Sequence, residues 1–205
     1  MYKIFKRVFD ICSSVLLLIC ISPIFIVLML LVRIKLGSPI FFTQTRSTLG
    51  GKSYKLIKFR SMTDARDKDG KLLPDSERKT PFGAWLRNSS LDELPELLNI
   101  IKGDMSVIGP RSMLIEYNDY YTEYEKNRFL VRGGLLPPEI LEDNPVPTWD
   151  EQLKWEADYG KNCSLALDWK IFMKTFQLLM HRAESDYGDY TRGSLIEERI
   201  NKINK

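Results

Sequence analysis

Histidine is almost missing from this chain: His181 is the only one. A histidine-dependent triad would have to be built on that residue, and no serine or cysteine stretch near it looks like a nucleophile site. Cysteine is scarce as well. Cys12 and Cys20 lie in an apolar run, Cys163 is remote in sequence, and no pair has zinc-ligand spacing. This argues against a disulfide framework and fits a reducing compartment. No internal repeat is visible. The acidic stretch DARDKDGKLLPD invites a calcium-loop reading, but with Gly70 at the sixth position Ala65 and Ser76 fall where carboxylates are required. It reads as a polar loop. Net charge is small, +3, and the excess is local: residues 1–37 carry Lys3, Lys6, Arg7, Arg33 and Lys35 against Asp10 alone. Such a distribution points to an anionic membrane surface and away from a nucleic-acid-binding body.

What the chain does have is a long hydrophobic run. Residues 11–32, ICSSVLLLICISPIFIVLMLLV, contain no charge and could cross a bilayer as a helix. No small-residue cleavage site follows, which argues against a signal peptide. Ser22-Pro23 sits mid-run. The proline removes one helix hydrogen bond and predicts a kink, and the Ser22 hydroxyl is placed to bond the carbonyl so freed. Both flanks are basic, and basic residues prefer the cytoplasmic side. A straight span would send one basic cluster across; a helix broken at Ser22-Pro23 could dip in and return. The residues alone leave a re-entrant segment and a kinked span equally open.

The body is α+β and mainly helical. Gly50-Gly51 between aromatic and β-branched stretches predicts a β-hairpin over 40–48 and 53–60. Its second arm is crowded by Lys52, Lys55, Lys58 and Arg60, which fits equally a solvated edge strand and an anion site. Tyr117, Tyr120, Tyr121 and Tyr124 fall on one face of a helix if 111–129 is helical. Residues 133–148 read as a long loop. Thr148 and Glu151 form a capping-box pattern opening a helix to about Tyr159. A last helix, from near Ser164 to about Arg182, carries Trp169, Phe172, Met173, Phe176 and Met180 with Lys170 and Lys174 between them, as a core or membrane-surface helix would. The organisation expected is a membrane segment over 1–37, a catalytic domain over 38–182 and a polar tail over 183–205.

The stretch SSLDELPELLNIIKGD, residues 89–104, poses a choice. Ser90 and Glu93 fit a capping box, with Asp92 complementing the helix dipole. Yet Pro95 would then be the fifth helical residue, crowding the carbonyl of Leu91. Nearby lie Arg87, Asp104 and Arg111. Carboxylates that can share a divalent cation, arginines that can hold phosphate, and no histidine together suggest phosphoryl transfer.

The order KRVFDI, an apolar run with Ser-Pro, FFTQTR, KLIKFRSM, SLDELPELLNIIKGDMSVIGPR and LDWKI resembles the bacterial sugar transferases known as monotopic phosphoglycosyl transferases, over about residues 2–182. The resemblance implies a re-entrant helix broken at Ser22-Pro23, seated on the cytoplasmic face of the bacterial inner membrane, with amphipathic helices at the interface. It implies an Asp92–Glu93 dyad. Asp92 would attack the sugar-bearing phosphate of a UDP-sugar, release UMP, and pass the phosphosugar to polyprenol phosphate such as undecaprenyl phosphate. Mg²⁺ would be held by Glu93, and Lys58, Arg87, Arg111 and Asp168 match positions lining the site, with Arg60 beside Lys58. Partners implied are the UDP-sugar, the polyprenol phosphate, membrane lipid and downstream glycosyltransferases; a homodimer is compatible, and no nucleic acid is expected. One departure stands out: where the family pattern reads R-P-G-I-T-G and then Q-V-N-G-R, this chain has Arg132 followed by GGLLPPEILEDN, with Asn144 in place of the last arginine. That loop bears on sugar preference, and a membrane-anchored scaffold that keeps the fold without turnover is the competing reading.

Overall fold

The computed structural model describes residues 2–142, 144, 146–181 and 193–203. The chain divides into two compact units. One comprises Met1–Asp10, Thr45–Tyr54 and Gly103–Lys205; the other comprises Ile11–Gln44 and Lys55–Lys102.

A single helix, α1, runs from Tyr2 to Leu36. At 1.5 Å per residue it is about 52 Å long, well beyond the roughly 30 Å hydrocarbon core of a bilayer. It is long and apolar enough to cross a membrane. Where an interruption was expected at Ser22-Pro23, the helix continues. Pro23 has no N–H for the Ile19 carbonyl four residues back, and the Ser22 hydroxyl donates to that carbonyl at 2.8 Å. The one bond lost to proline is thus replaced locally, and the flanking turns carry the helix onward.

In the unit of residues 11–44 and 55–102, the last turns of α1 bury Leu28, Val32 and Leu36 with Phe59 and Leu86. Phe25, Phe41 and Phe59 pack around this core, Phe41 stacked on Phe59 with ring centroids 5.5 Å apart and Phe25 tilted against Phe59 at 5.0 Å. The expected hairpin is present as β1 (Phe41–Ser47) and β2 (Ser53–Phe59). A short helix, α2 (Asp75–Arg78), precedes α3 (Pro81–Asn88). Thr80 caps α3 by accepting from the Gly83 amide at 3.0 Å, and Pro81 occupies a first-turn position that needs no donor. A Cβ on Gly83 would stand 1.9 Å from the Ser61 carbonyl oxygen, so α3 lies directly on backbone there. Helix α4 (Glu96–Lys102) follows, and Gly103 with φ +106° ends it.

The other unit holds a parallel pair that the hydrophobic pattern did not announce. β3 (Met105–Ile108) lies beside β4 (Gly133–Leu136), with Met105 opposite Gly133 and Ile108 opposite Leu136. β4 falls inside the stretch expected to be loop. Residues 111–129 are not one helix: two 3₁₀ segments, Ile115–Tyr120 and Glu125–Leu130, flank an extended Tyr121. The tyrosine stripe is therefore split, Tyr121 buried and Tyr124 exposed. Helix α5 (Trp149–Asn162) opens with the complete Thr148–Glu151 capping box, and α6 runs Leu165–His181. Within the segment expected as a polar tail, Leu195–Ile203 forms α7, whose Leu195 is fully buried with Met113, Tyr121, Trp149 and Leu153. Residues 183–192 and 204–205 of that tail fall outside the described residues.

The start of α1 is folded into this unit. Tyr2 and Lys6, one turn apart, both donate to the Asp168 carboxylate, Lys6 at 2.5 Å, and the Tyr159 hydroxyl donates to its other oxygen at 2.5 Å. One turn on, buried Asp10 accepts from the Ser106 hydroxyl at 2.7 Å and the Val107 amide at 3.1 Å. Lys3 donates to the Leu130 carbonyl at 3.1 Å. Lys3 and Lys6 of the basic N-terminal cluster thus find acceptors on the protein itself.

Candidate active site

Asp92 and Glu93 belong to a 3₁₀ turn, Leu91–Glu93, wedged between α3 and α4. The capping box expected at Ser90 does not form. Ser90 has φ +55° and its side chain makes no capping bond; among the described residues it is the one non-glycine with positive φ. Helix α4 begins after Pro95, so the proline stands ahead of the helix, where its missing N–H and its ring do no harm. The conflict read from the sequence is relieved, and the strain moves to Ser90. A left-handed non-glycine costs about 1–2 kcal/mol, and such residues concentrate at functional sites.

The dyad is unequal in exposure. Asp92 is buried, while the Glu93 side chain is 30% exposed. Lys58, on β2, bridges the acidic turn: its ammonium lies 2.7 Å from Glu93 Oε1 and 3.2 Å from Glu96 Oε1. Burial alone would lower the Lys58 pKa, but the carboxylates of Glu93 and Glu96 outweigh it and the ammonium is held above its ordinary range. Asp92 is pushed up from the usual carboxylate value, first by burial and also by Glu93; Lys58 and Arg87 pull the other way. Arg87, at the end of α3, is oriented by its Nε donating to the buried Ser61 hydroxyl at 2.8 Å.

Lys58, Arg87, Asp92 and Glu93 therefore gather in one unit. Arg60 is in the same unit, but its guanidinium donates to the Ser38 carbonyl and to Asp64, both at 2.8 Å. Arg111 and Asp168 belong to the other unit. Arg111 pairs through Nε with Glu139 at 3.1 Å, and Asp168 is buried beneath Tyr2, Lys6 and Tyr159.

Two residues of this site escaped the sequence reading. Glu96 is buried and shares Lys58 with Glu93; its place four residues after Asp92 was the available signal. Asn99, 1% exposed, interrupts the apolar run LLNII. Its amide oxygen accepts from the Ile57 N–H at 2.9 Å and its NH₂ donates to the Lys55 carbonyl at 2.8 Å, so α4 grips β2 next to Lys58. A lone amide in an apolar helix had to satisfy itself on some backbone.

No group of three or more candidate ligands preformed for a metal is present among the described residues. The oxygen donors of the acidic turn nonetheless fit Mg²⁺, which ordinarily takes one or two carboxylates and completes its shell with water and substrate phosphate. Glu93 is the exposed carboxylate able to do so.

Residues 1–182 match the family model described as bacterial sugar transferase. The chain belongs to that family. Among related bacterial sugar transferases, it is 41% identical over 177 residues to a protein of Bacillus subtilis (strain 168) named uncharacterized sugar transferase EpsL, covering 86% of this chain and 88% of that one. It is 33% identical over 189 residues to the UDP-glucose:undecaprenyl-phosphate glucose-1-phosphate transferase of Klebsiella pneumoniae, covering 84% of this chain but only 39% of that longer protein. It is 32% identical over 187 residues to the exopolysaccharide production protein ExoY of Sinorhizobium fredii (strain NBRC 101917 / NGR234), covering 83% of each.

Proposed function

We propose that this sugar transferase moves a sugar-1-phosphate from a UDP-sugar to polyprenol phosphate, most plainly undecaprenyl phosphate, by way of a covalent intermediate on Asp92. The observation that carries the proposal is the strained turn that buries Asp92 beside Glu93 and under the positive charge of Lys58 and Arg87. In the first half-reaction an Asp92 oxygen attacks the sugar-bearing phosphorus. The bond to the uridine-side phosphate oxygen breaks, and UMP leaves with that electron pair. The product on Asp92 is a mixed anhydride, reactive enough for a second displacement. In the second half-reaction an oxygen of the lipid phosphate attacks the same phosphorus, and the Asp92 carboxylate is restored. Lys58 and Arg87 offset the repulsion between a carboxylate nucleophile and an anionic diphosphate. Mg²⁺ on Glu93 would add charge neutralisation at the phosphate oxygens.

The lipid acceptor requires the site to work at a membrane. For α1 we read a monotopic, re-entrant placement on the cytoplasmic face, because basic residues prefer that side and flank the apolar run at both ends, Lys3, Lys6 and Arg7 before it and Arg33 and Lys35 after it. Its first turns are bonded into one unit through Asp10 and Asp168. Its last turns lie in the core of the other through Leu28, Val32 and Leu36. Between them Leu16, Leu17, Ile19, Ile24, Ile26 and Val27 are exposed for lipid. The exposed face of α6, with Trp169, Phe172, Phe176 and Met180 beside Lys170 and Lys174, suits an interfacial helix. The lipid-linked sugar would then be extended by glycosyltransferases acting on the same membrane. The experiment is UMP release from a panel of UDP-sugars with undecaprenyl phosphate and detergent-solubilised protein. Turnover with at least one donor is expected, and none with any donor would overturn the proposal.

A further inference from the structure

Helix α7 lies beyond the residues matched by the family model, yet it is seated on the body of its own unit. Leu195, fully buried, fills a seat walled by Met113, Tyr121, Trp149 and Leu153. Just ahead of the helix, the Trp149 indole N–H donates to the Gly193 carbonyl at 3.0 Å. Around this anchor the grip is ionic. Arg199 reaches Glu125 Oε1 at 2.5 Å through Nη2 and Asp150 Oδ1 at 2.9 Å through Nη1. Lys202 reaches Asp150 Oδ2 at 2.7 Å and, within α7 itself, Glu198 at 2.9 Å. The Glu125 side chain is 8% exposed, whereas those of Asp150 and Lys202 are 54% and 47% exposed. The buried Arg199 Nε has no acceptor among the described residues, and an unmet buried donor opposes docking.

We propose that α7 is a strap that leaves and re-enters this seat as a unit, under the control of ionic strength, while the rest of the fold stays intact. A helix of nine residues does not hold itself in water, so α7 is helical only while docked. Its occupancy rests on one apolar anchor and on charge pairs that salt weakens. The body of α5 differs: Leu153, Ala157 and Tyr159 are buried apolar surface that salt does not screen. Opening of α7 alone therefore lies below global unfolding in free energy, and it uncovers the Trp149 indole with Met113 and Tyr121. The seat is matched to this segment of the chain. Leu195, Arg199 and Lys202 fall at i, i+4 and i+7 on one helix face, and they meet the apolar seat, Glu125 and Asp150 in turn.

The test is amide hydrogen exchange on the detergent-solubilised full chain, read by mass spectrometry in about 0.05 M and about 1 M potassium chloride. At low salt the α7 amides should be protected, but about tenfold or more below those of α5. At high salt their protection should fall by about fivefold or more, and that of α5 should change by less than about twofold. Arg199→Gln, which leaves the buried Glu125 carboxylate without this partner, should speed α7 exchange about tenfold at low salt and remove most of the salt dependence. Lys202→Gln, which removes an exposed pair, should speed it by less than about threefold. Glu125→Gln answers the same question should Arg199→Gln fail to fold. Exchange of the α7 amides only together with α5, at either salt, would make α7 part of the core and overturn the inference. So would α7 amides that are unprotected at low salt, or whose protection neither salt nor Arg199→Gln alters. None of these readouts depends on turnover, so the inference stands or falls apart from the proposed function.

Discussion

At the scale of single residues, the account turns on the ionisation of Asp92. Burial raises its pKa from the ordinary 3.8, so the folded protein keeps a proton on it to higher pH than the unfolded chain does. Ionising it in the folded state therefore costs stability. The cost sets in as pH rises above 3.8 and is complete above the raised value. Asp92→Asn removes it: at neutral pH the variant should melt at or above the native protein, and the two should converge in acid. Nucleophilic attack needs the carboxylate, so the acid limb of UMP release should lie above the ordinary aspartate value. Lys58→Met, by deleting a charge that pulls the Asp92 pKa down, should move that limb to higher pH as well as slow the reaction. An acid limb that does not move would mean that Lys58 does not face Asp92 in the working enzyme.

At the scale of elements, Gly83 and Thr148 make opposite predictions. A side chain at Gly83 collides with the Ser61 carbonyl, so Gly83→Ala should displace α3 and with it the Arg87–Ser61 contact. UMP release should fall by more than the loss of folded protein accounts for. Thr148→Ala removes a complete capping box at α5 and should cost about 1 kcal/mol of stability with turnover per folded molecule unchanged. Elements with a local cause were legible in the sequence: the Gly50-Gly51 hairpin, the Thr148–Glu151 cap and the bounds of α6 all follow from short-range chemistry. The β3–β4 pair was not, because Met105–Ile108 and Gly133–Leu136 are joined only by a tertiary register, and glycines give no strand signal. The tyrosine stripe misled for a related reason. Helical spacing is necessary for a helix but does not make one, and Tyr121 is drawn out of it to meet Arg128 and Phe129. At the site, the order of Lys58, Arg87, Asp92 and Glu93 could be read from the resemblance. The left-handed Ser90 that lifts Pro95 out of the helix could not, since no residue-level rule places a serine there.

At the scale of the whole molecule, the proposed function requires one chain to present a soluble donor and a membrane-bound acceptor to the same phosphorus. The proposed re-entrant topology puts both basic flanks of α1 on the cytoplasmic side. In a cysteine-free background, single cysteines at positions 2 and 38 should each be labelled by an impermeant reagent only from the cytoplasmic side; labelling of position 2 from outside would refute the re-entrant placement. The chemistry itself is tested most directly without any lipid. Full-length protein mixed with Mg²⁺ and a donor that supports turnover should release UMP up to one per enzyme, and its intact mass should rise by one phosphosugar carried on Asp92. Asp92→Asn should show neither signal while remaining folded. A phosphosugar trapped on another residue, or turnover retained by Asp92→Asn, would contradict the account.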